Sequence, residues 1–323
     1  MFKKEIAVVT GCAGFIGSAL TRQLLKDSWY VYGIDKLTYA SNPDFVEEFN
    51  QYSRFKFIEE DITSISRLPE CDVIFNLAAE SDVDTSNRDS RQFVLSNVLG
   101  VQNLLNLVSK SAIIKDYPPL FFQVSTDEVY GATKDDTYKF VETDILNPSN
   151  PYSATKAAAD LLITSWANTY GINYVIARPS NNYGYYQHPE KLIPLAVKKL
   201  ARGQKIKLHN QGTPVRTWTH VEDTVNAIKT IYYKGDKNSI YNISSGLEEN
   251  NLTIVTDIIK AFHNEPYINI NDYVDLSYNR PGQDMRYAIC SKKLCDLGWS
   301  PSYNVRYEIS KLVASYKHGK FRW

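Results

Sequence analysis

The chain has 323 residues, room for two domains or one large α/β unit. Hydrophobic residues make up 43% and charged residues 22%, which excludes a disordered chain, a collagen-like repeat and a disulfide miniprotein. Lys plus Arg and Asp plus Glu both number 36, so the net charge is zero and gives no general attraction to nucleic acid or an anionic membrane. Cys12, Cys71, Cys290 and Cys295 form no Cys-x-x-Cys pair, so no metal-ligand spacing arises and free thiols in a reducing compartment are expected. The apolar run at 6–9 is too short for a signal peptide, and no stretch approaches the ~20 apolar residues of a membrane helix. These features predict a cytoplasmic protein with no metal, no nucleic acid and no membrane as partner.

In chain order, short β-branched runs alternate with helical patterns. Strands are predicted at 6–10, 29–34, 55–58, 73–77, 120–124 and 174–177, with helices at 13–26, 93–107 and 152–168 between them. Such alternation predicts an α/β fold with a parallel sheet and helices on both faces. After about residue 180 the pattern loosens. Helices are expected at 192–202, at 221–232 and after Leu252, and strands at 205–208 and 240–243, with a turn at Asn279-Arg280-Pro281-Gly282. No linker separates the halves. The expected division is a cofactor domain over 1–180 and a smaller, interleaved C-terminal lobe over 181–323, some of whose segments return to the sheet.

Three groups of residues carry chemistry. The first strand ends in Thr10-Gly11-Cys12-Ala13-Gly14-Phe15-Ile16-Gly17, which opens a helix. Glycines at this turn admit a pyrophosphate close to the backbone, and the helix N-terminus offers it free amides. The spacing is Gly-x-x-Gly-x-x-Gly, weak alone, but Asp35 ends the second strand 24 residues after Gly11. An acid there accepts hydrogen bonds from the adenosine ribose and repels a 2′-phosphate, which points to NAD rather than NADP; the neighbouring Lys36 weakens that preference. Tyr152-Ser153-Ala154-Thr155-Lys156 places a phenol and an ammonium one helical turn apart, where a cation favours the phenolate, although the pattern alone also fits a surface pair. Val124-Ser125-Thr126-Asp127-Glu128 closes the fifth strand, at the sheet end where ligands of open parallel sheets bind. Two adjacent carboxyls there divide acid and base work if their surroundings push their pKa values apart; otherwise they form a solvated turn.

Taken together, these segments resemble the extended short-chain dehydrogenases/reductases. Asp35-Lys36-Leu37-Thr38-Tyr39-Ala40, Ala78-Ala79-Glu80-Ser81 and Thr126-Asp127-Glu128 narrow the likeness to nucleotide-sugar 4,6-dehydratases. Asn181-Asn182-Tyr183-Gly184, Pro189-Glu190-Lys191-Leu192-Ile193-Pro194 and the segment from Arg280 to Tyr287 continue it. The resemblance implies a Rossmann-type doubly wound parallel sheet of seven strands with a small substrate lobe, and a homodimer that binds NAD and acts on a nucleotide-diphosphate hexose. It assigns Thr126, Asp127, Glu128, Tyr152 and Lys156 to catalysis, and Gly11, Ala13, Gly14, Phe15, Ile16 and Gly17 to the cofactor. Asp35, Lys36, Asp61, Ile62 and Ala78 join the cofactor group, as do Tyr152 and Lys156. Ser81, Asn181, Lys191, Leu192, Arg216, Arg280 and Tyr287 fall to the substrate. Asp82-Val83-Asp84-Thr85-Ser86 stands where the dTDP-glucose enzymes usually have His-Val-Asp-Arg-Ser, and Gln283 where they have His. Those departures leave the hexose open, a 2-acetamido sugar included. Added C5 inversion, a UDP-sugar 4-epimerase and a non-catalytic NAD-binding sensor are the alternatives. Asp127 argues against the epimerase, and intact Thr126, Tyr152 and Lys156 argue against the sensor.

Overall fold

The computed structural model describes residues 5–114, 118–133, 135–280 and 283–317. Pro281 and Gly282 of the expected turn therefore lie outside the described residues. From the N-terminus run β1 (Ile6–Thr10), α1 (Phe15–Lys26), β2 (Tyr30–Asp35), α2 (Pro43–Asn50), β3 (Phe55–Glu59) and β4 (Val73–Asn76). Next come α3 (Val83–Arg88) and α4 (Arg91–Phe93), which continues through a π-helical stretch (Val94–Leu99) into α5 (Gly100–Ile114). β5 (Leu120–Val124), a 3-10 turn (Asp127–Tyr130), α6 (Pro151–Tyr170) and β6 (Tyr174–Pro179) complete the first half.

The second half holds β7 (Asn181–Tyr183), α7 (Leu192–Ala201), β8 (Ile206–His209), β9 (Val215–His220), α8 (Val221–Lys234) and β10 (Ser239–Ile243). It ends with β11 (Glu248–Asn250), α9 (Asn251–His263), β12 (Val274–Tyr278), α10 (Lys292–Cys295) and α11 (Val305–Lys317).

Seven parallel strands lie in the order β10-β6-β5-β4-β1-β2-β3. This is the parallel sheet that the alternation of strands and helices predicts, in the Rossmann-type form that the resemblance implies. Its central strands are apolar on both faces, as parallel strands covered by helices must be. Val9, Phe75 and Phe122 face Leu20 and Leu24 of α1 and Val225 and Ile228 of α8. The alternate positions, Val8, Ile74 and Phe121, face Leu104 and Leu105 of α5 and Ile163 of α6. The period-2 alternation thus supplies both layers from one set of strands. A second core, around Ile193, Trp218, Ile254, Ile258 and Leu312, joins α7, α9 and α11 to β8 and β9. The chain order reverses between β1 and β4, where open sheets form their ligand crevice.

Sequence periodicity misses α2, α3, α11, β9 and the short strands of the second half. They are brief or take their apolar partners from distant segments, so local pattern carries little of them.

Candidate active site

The glycine turn is built by close approach. Gly11 has φ +69° and donates from N to Ile34 O at 2.8 Å, tying β1 to β2. A Cβ on Gly17 would lie 1.9 Å from Gly11 O, so only hydrogen fits where α1 crosses the turn. Gly14 caps α1, whose first turn has no acidic side chain, and its open amide end suits a phosphate. The side chains of Phe15 and Ile16 are partly buried and pack against the core on the α1 face of the sheet.

Asp35 is buried, with Oδ2 accepting from Ala13 N (3.0 Å) and Oδ1 accepting from Leu37 N (2.9 Å) and Ser41 Oγ (2.8 Å). The carboxylate thus braces the glycine turn as well as facing the cleft. Gly11, Gly14, Asp35, Asp61, Ile62 and Ala78 line one continuous cavity. Lys36 also lines it, donating to Asp61 Oδ2 (3.2 Å) and Ser96 Oγ (3.4 Å). A dinucleotide fits these residues: amides at one end for the pyrophosphate, acids at the other for ribose hydroxyls.

Several polar residues of the cleft carry no sequence signal. Thr10 donates from Oγ1 to Asn76 Oδ1 (2.5 Å), and Asn76 donates to Gln123 Oε1 (2.7 Å), a strap across three strand ends. The same Thr10 hydroxyl accepts from Ala78 N at 3.2 Å and so sets the cavity wall. Asn97, in the π-helical stretch, donates to Glu80 O and Thr155 Oγ1, both at 3.0 Å. Such stretches recur at functional sites because the extra residue re-aims side chains.

At the end of β5, Thr126 caps the 3-10 turn by accepting from Glu128 N at 3.3 Å. Asp127 Oδ2 is buried and has no hydrogen-bond partner among the described residues. Burial, then the charge of Glu128, pushes the Asp127 carboxyl up to about 8, against the pull of Arg216. Glu128 is also raised by burial, opposed by Arg216 and by a hydrogen bond from Asn150 Nδ2 (3.4 Å). Both carboxyls of the adjacent pair are thus pushed toward the protonated form, Asp127 up to about 8.

α6 begins with Pro151 at its first position and a capping box between Asn150 and Ser153, which fixes where Tyr152 and Lys156 emerge. Tyr152 is buried edge-on to Phe93, centroids 6.4 Å apart. Burial, then Glu128, pushes its phenol up, and the Thr126 hydrogen bond opposes them. Lys156 donates from Nζ to Val124 O at 2.7 Å. Tyr152, Thr126, Asp127 and Glu128 are thus electrostatic neighbours, as their positions in sequence require of α6 and β5.

The residues expected to meet the substrate converge from the second half. Lys191 caps α7 and donates to Ser81 O (3.1 Å) and Oγ (3.4 Å). Leu192 packs on the second core. Asn181 Oδ1 is buried without a hydrogen-bond partner among the described residues. Arg216 stacks on the Tyr287 ring at 4.3 Å and donates to Asp284 O at 3.0 Å. Tyr287 donates from its hydroxyl to Asp284 Oδ2 at 2.5 Å, with Glu128 Oε2 at 3.5 Å. Arg280 is engaged by Asp84, with Nη2 to Oδ2 and Nε to Oδ1 both at 2.7 Å. Its partner is thus a carboxylate in the segment that departs from the dTDP-glucose pattern.

The family model described as GDP-mannose 4,6 dehydratase matches residues 8–312. The chain belongs to that family. The chain is a nucleotide-sugar 4,6-dehydratase of the extended short-chain dehydrogenase/reductase superfamily. Among relatives of this family member is the low-salt glycan biosynthesis protein of Haloferax volcanii, 40% identical over 96% of this chain and 97% of that one. The dTDP-glucose 4,6-dehydratase of Haemophilus influenzae is 36% identical over 96% of this chain and 97% of its own. The crystal structure of DesIV, a dTDP-glucose 4,6-dehydratase from Streptomyces venezuelae with NAD bound, superposes with a TM-score of 0.88. It is 34% identical, covering 98% of this chain and 99% of that one. A UDP-glucuronic acid 4-epimerase from Bacillus cereus shares the fold at TM-score 0.87 and 24% identity.

Proposed function

We propose that this NAD-dependent 4,6-dehydratase acts on a dTDP- or UDP-linked hexose of the glucose type and converts it to the 4-keto-6-deoxy sugar. The observation that carries the reading is the Asp127–Glu128 pair beside Tyr152, with Asp127 raised to about 8 by burial. Oxidation at C4 alone needs no carboxyl pair; removal of water across C5 and C6 needs an acid and a base.

The chemistry that NAD supplies when bound is acceptance of a hydride at C4 and its return at C6, together with a positive charge near the phenol. Gly11, Gly14, Asp35, Lys36, Asp61 and Ala78 would hold it. Tyr152 takes the proton from the sugar O4, and Thr126 orients that oxygen. The resulting ketone acidifies the C5 proton, which Glu128 removes. Asp127, protonated at neutral pH, gives its proton to O6 as water leaves. Lys156 carries the charge that favours the Tyr152 phenolate. Lys191, Arg216 and Asn181 supply cations and an acceptor for the diphosphate and sugar, with Ser81, Leu192, Tyr287 and Arg280 around them; Arg280 would exchange Asp84 for a phosphate oxygen.

Relatives named dTDP-glucose 4,6-dehydratase at 35–37% identity support a thymidine nucleotide, and a plant protein named in part UDP-glucose 4,6-dehydratase, at 34%, supports uridine. Incubation with dTDP-glucose, UDP-glucose and UDP-N-acetylglucosamine, followed by the alkali chromophore of a 4-keto sugar, decides among them. No chromophore from any of the three would overturn the reading.

A further inference from the structure

The mechanism above uses Tyr152 and Lys156 of α6 but leaves one buried acid on that helix without a task. Asp160 stands one turn beyond Lys156, on the same face, and is 2% exposed. Its Oδ2 accepts from Arg178 Nε at 3.0 Å. Arg178, on β6, also donates to the Tyr130 hydroxyl at 2.7 Å, and Tyr130 donates to Asn242 Oδ1 at 2.9 Å. The guanidinium lies 4.8 Å over the Tyr130 ring. Arg178 is therefore fixed from two sides, and it fixes Asp160. Asp160 Oδ1 and Ser125 Oγ are both buried, and the Ser125 hydroxyl is near enough to favour the Asp160 carboxylate.

A buried ion pair is a weak source of stability, because desolvation consumes much of its attraction. The pair invites another use. Burial pulls the Lys156 ammonium down to about 8, and the charge of Asp160 resists that pull. Among the described residues packed on α6, the other charged groups are exposed or engaged elsewhere. The π-helical stretch has no ionisable side chain, and Arg91 of α4 and Lys110 of α5 are exposed. Asp84 of α3 pairs with Arg280, and Arg88 bonds to Thr85. Asp127 and Glu128 act on Tyr152. Burial raises the Asp160 carboxyl itself, and the charges of Arg178 and then Lys156 oppose that rise and favour the carboxylate.

We propose that Asp160 is a positioning residue for Lys156: held by Arg178, its carboxylate keeps the buried ammonium charged and anchored at the Val124 carbonyl, where that charge serves Tyr152. The proposal rests on the assignment of Tyr152 and Lys156 given above. It makes the Asp160–Arg178 pair part of the working site, two helical turns from the phenol.

The test is the pH dependence of turnover of the full-length Asp160→Asn protein on dTDP-glucose, or on whichever of the three nucleotide sugars the parent accepts. Without the anion Lys156 loses its proton at lower pH, so the alkaline limb of kcat should move down by about one pH unit. At pH 7 kcat should fall about twofold, widening toward about tenfold on the alkaline side, with KM within about twofold, because the nucleotide contacts are untouched. A merely structural role would lower kcat by one factor at every pH. An alkaline limb that stays in place, whether turnover is kept or uniformly lost, overturns the proposal. Should Asp160→Asn fail to fold with Arg178 unpaired, Asp160→Asn combined with Arg178→Met removes both charges, and the same limb shift is expected. The two levels separate cleanly. Turnover surviving Tyr152→Phe would overturn the site itself, whereas an inactive Tyr152→Phe with an unmoved Asp160→Asn limb overturns the role of Asp160 alone.

Discussion

Tyr152 is the residue on which the chemistry turns, and its surroundings in the protein alone disfavour the charged phenol: burial and Glu128 both raise it. The proposed base thus depends on positive charge brought by Lys156 and the cofactor. Tyr152→Phe should lower formation of 4-keto product by about a hundredfold to ten-thousandfold, the usual range for a general base, while NAD binding persists. Isothermal titration with NAD alongside the alkali assay checks both halves. The carboxyls divide differently. Glu128→Gln should still oxidise C4, so reduced nicotinamide absorbance builds in a single turnover while C5 exchange with solvent deuterium disappears. Asp127→Asn should retain that exchange and slow water loss, since an amide is a poor proton donor. If both variants block the hydride step with NAD bound, the pair merely positions substrate.

Asp127 also carries a stability consequence. Its folded pKa of about 8 lies above the ordinary carboxyl value of about 4, so the folded state holds a proton that the unfolded chain has lost between those limits. Stability therefore falls as pH rises through that window. Asp127→Asn should melt a few degrees above the parent at pH 8, with the gap closing toward pH 4.

At the scale of single elements, the turn from β1 into α1 is the least tolerant. Gly17→Ala would place a methyl 1.9 Å from Gly11 O, against backbone that cannot swing aside. Because α1 must then shift from β1, NAD affinity should fall at least about tenfold and the melting temperature should drop; calorimetry with and without NAD reads both. Unchanged affinity would mean that the turn does not hold the pyrophosphate. α6 is the opposite case, a helix with every local instruction in place: Asn150 as cap, Pro151 at its first position, and Gly171 at φ +67° after its end. Its limits were correspondingly legible from sequence, within two residues at its C-terminus. The π-helical stretch was not, since one inserted residue leaves no trace in apolar spacing, and Asn97 was missed with it.

For the whole molecule, we propose a homodimer through α5 and α6. Sequence counts more apolar residues on α6 than one face can bury, and the structure sorts them: Ile163 is fully buried while Leu161 is 63% exposed. Val94 and Leu99 at the start of the α5 arm, and Tyr170 on α6, are exposed as well. Light scattering should give a mass near twice 36.8 kDa at micromolar concentration, and Leu161→Asp should shift it toward one chain. A monomer in the parent would remove the proposal. No helix among the described residues is long and apolar enough to cross a membrane.

Local order in this chain is dense enough to read. The strand and helix periods, the glycine spacing after β1, Asp35 at the end of β2 and the Thr126-Asp127-Glu128 segment after β5 are all short-range features, each fixed by a few neighbouring residues. They determined the sheet class and the family, and they located the cleft at the C-terminal strand ends. Only the tertiary structure decided which partners the charged groups take. Arg280 meets Asp84 across 196 residues, Tyr287 reaches Glu128 across 159, and Arg178 reaches Asp160 across 18. Burial in that packing, rather than residue type, is what raises Asp127 and lowers Lys156. Ionisation inside a protein depends on who is near in space and how little water remains, and neither quantity is written in the local pattern of a sequence.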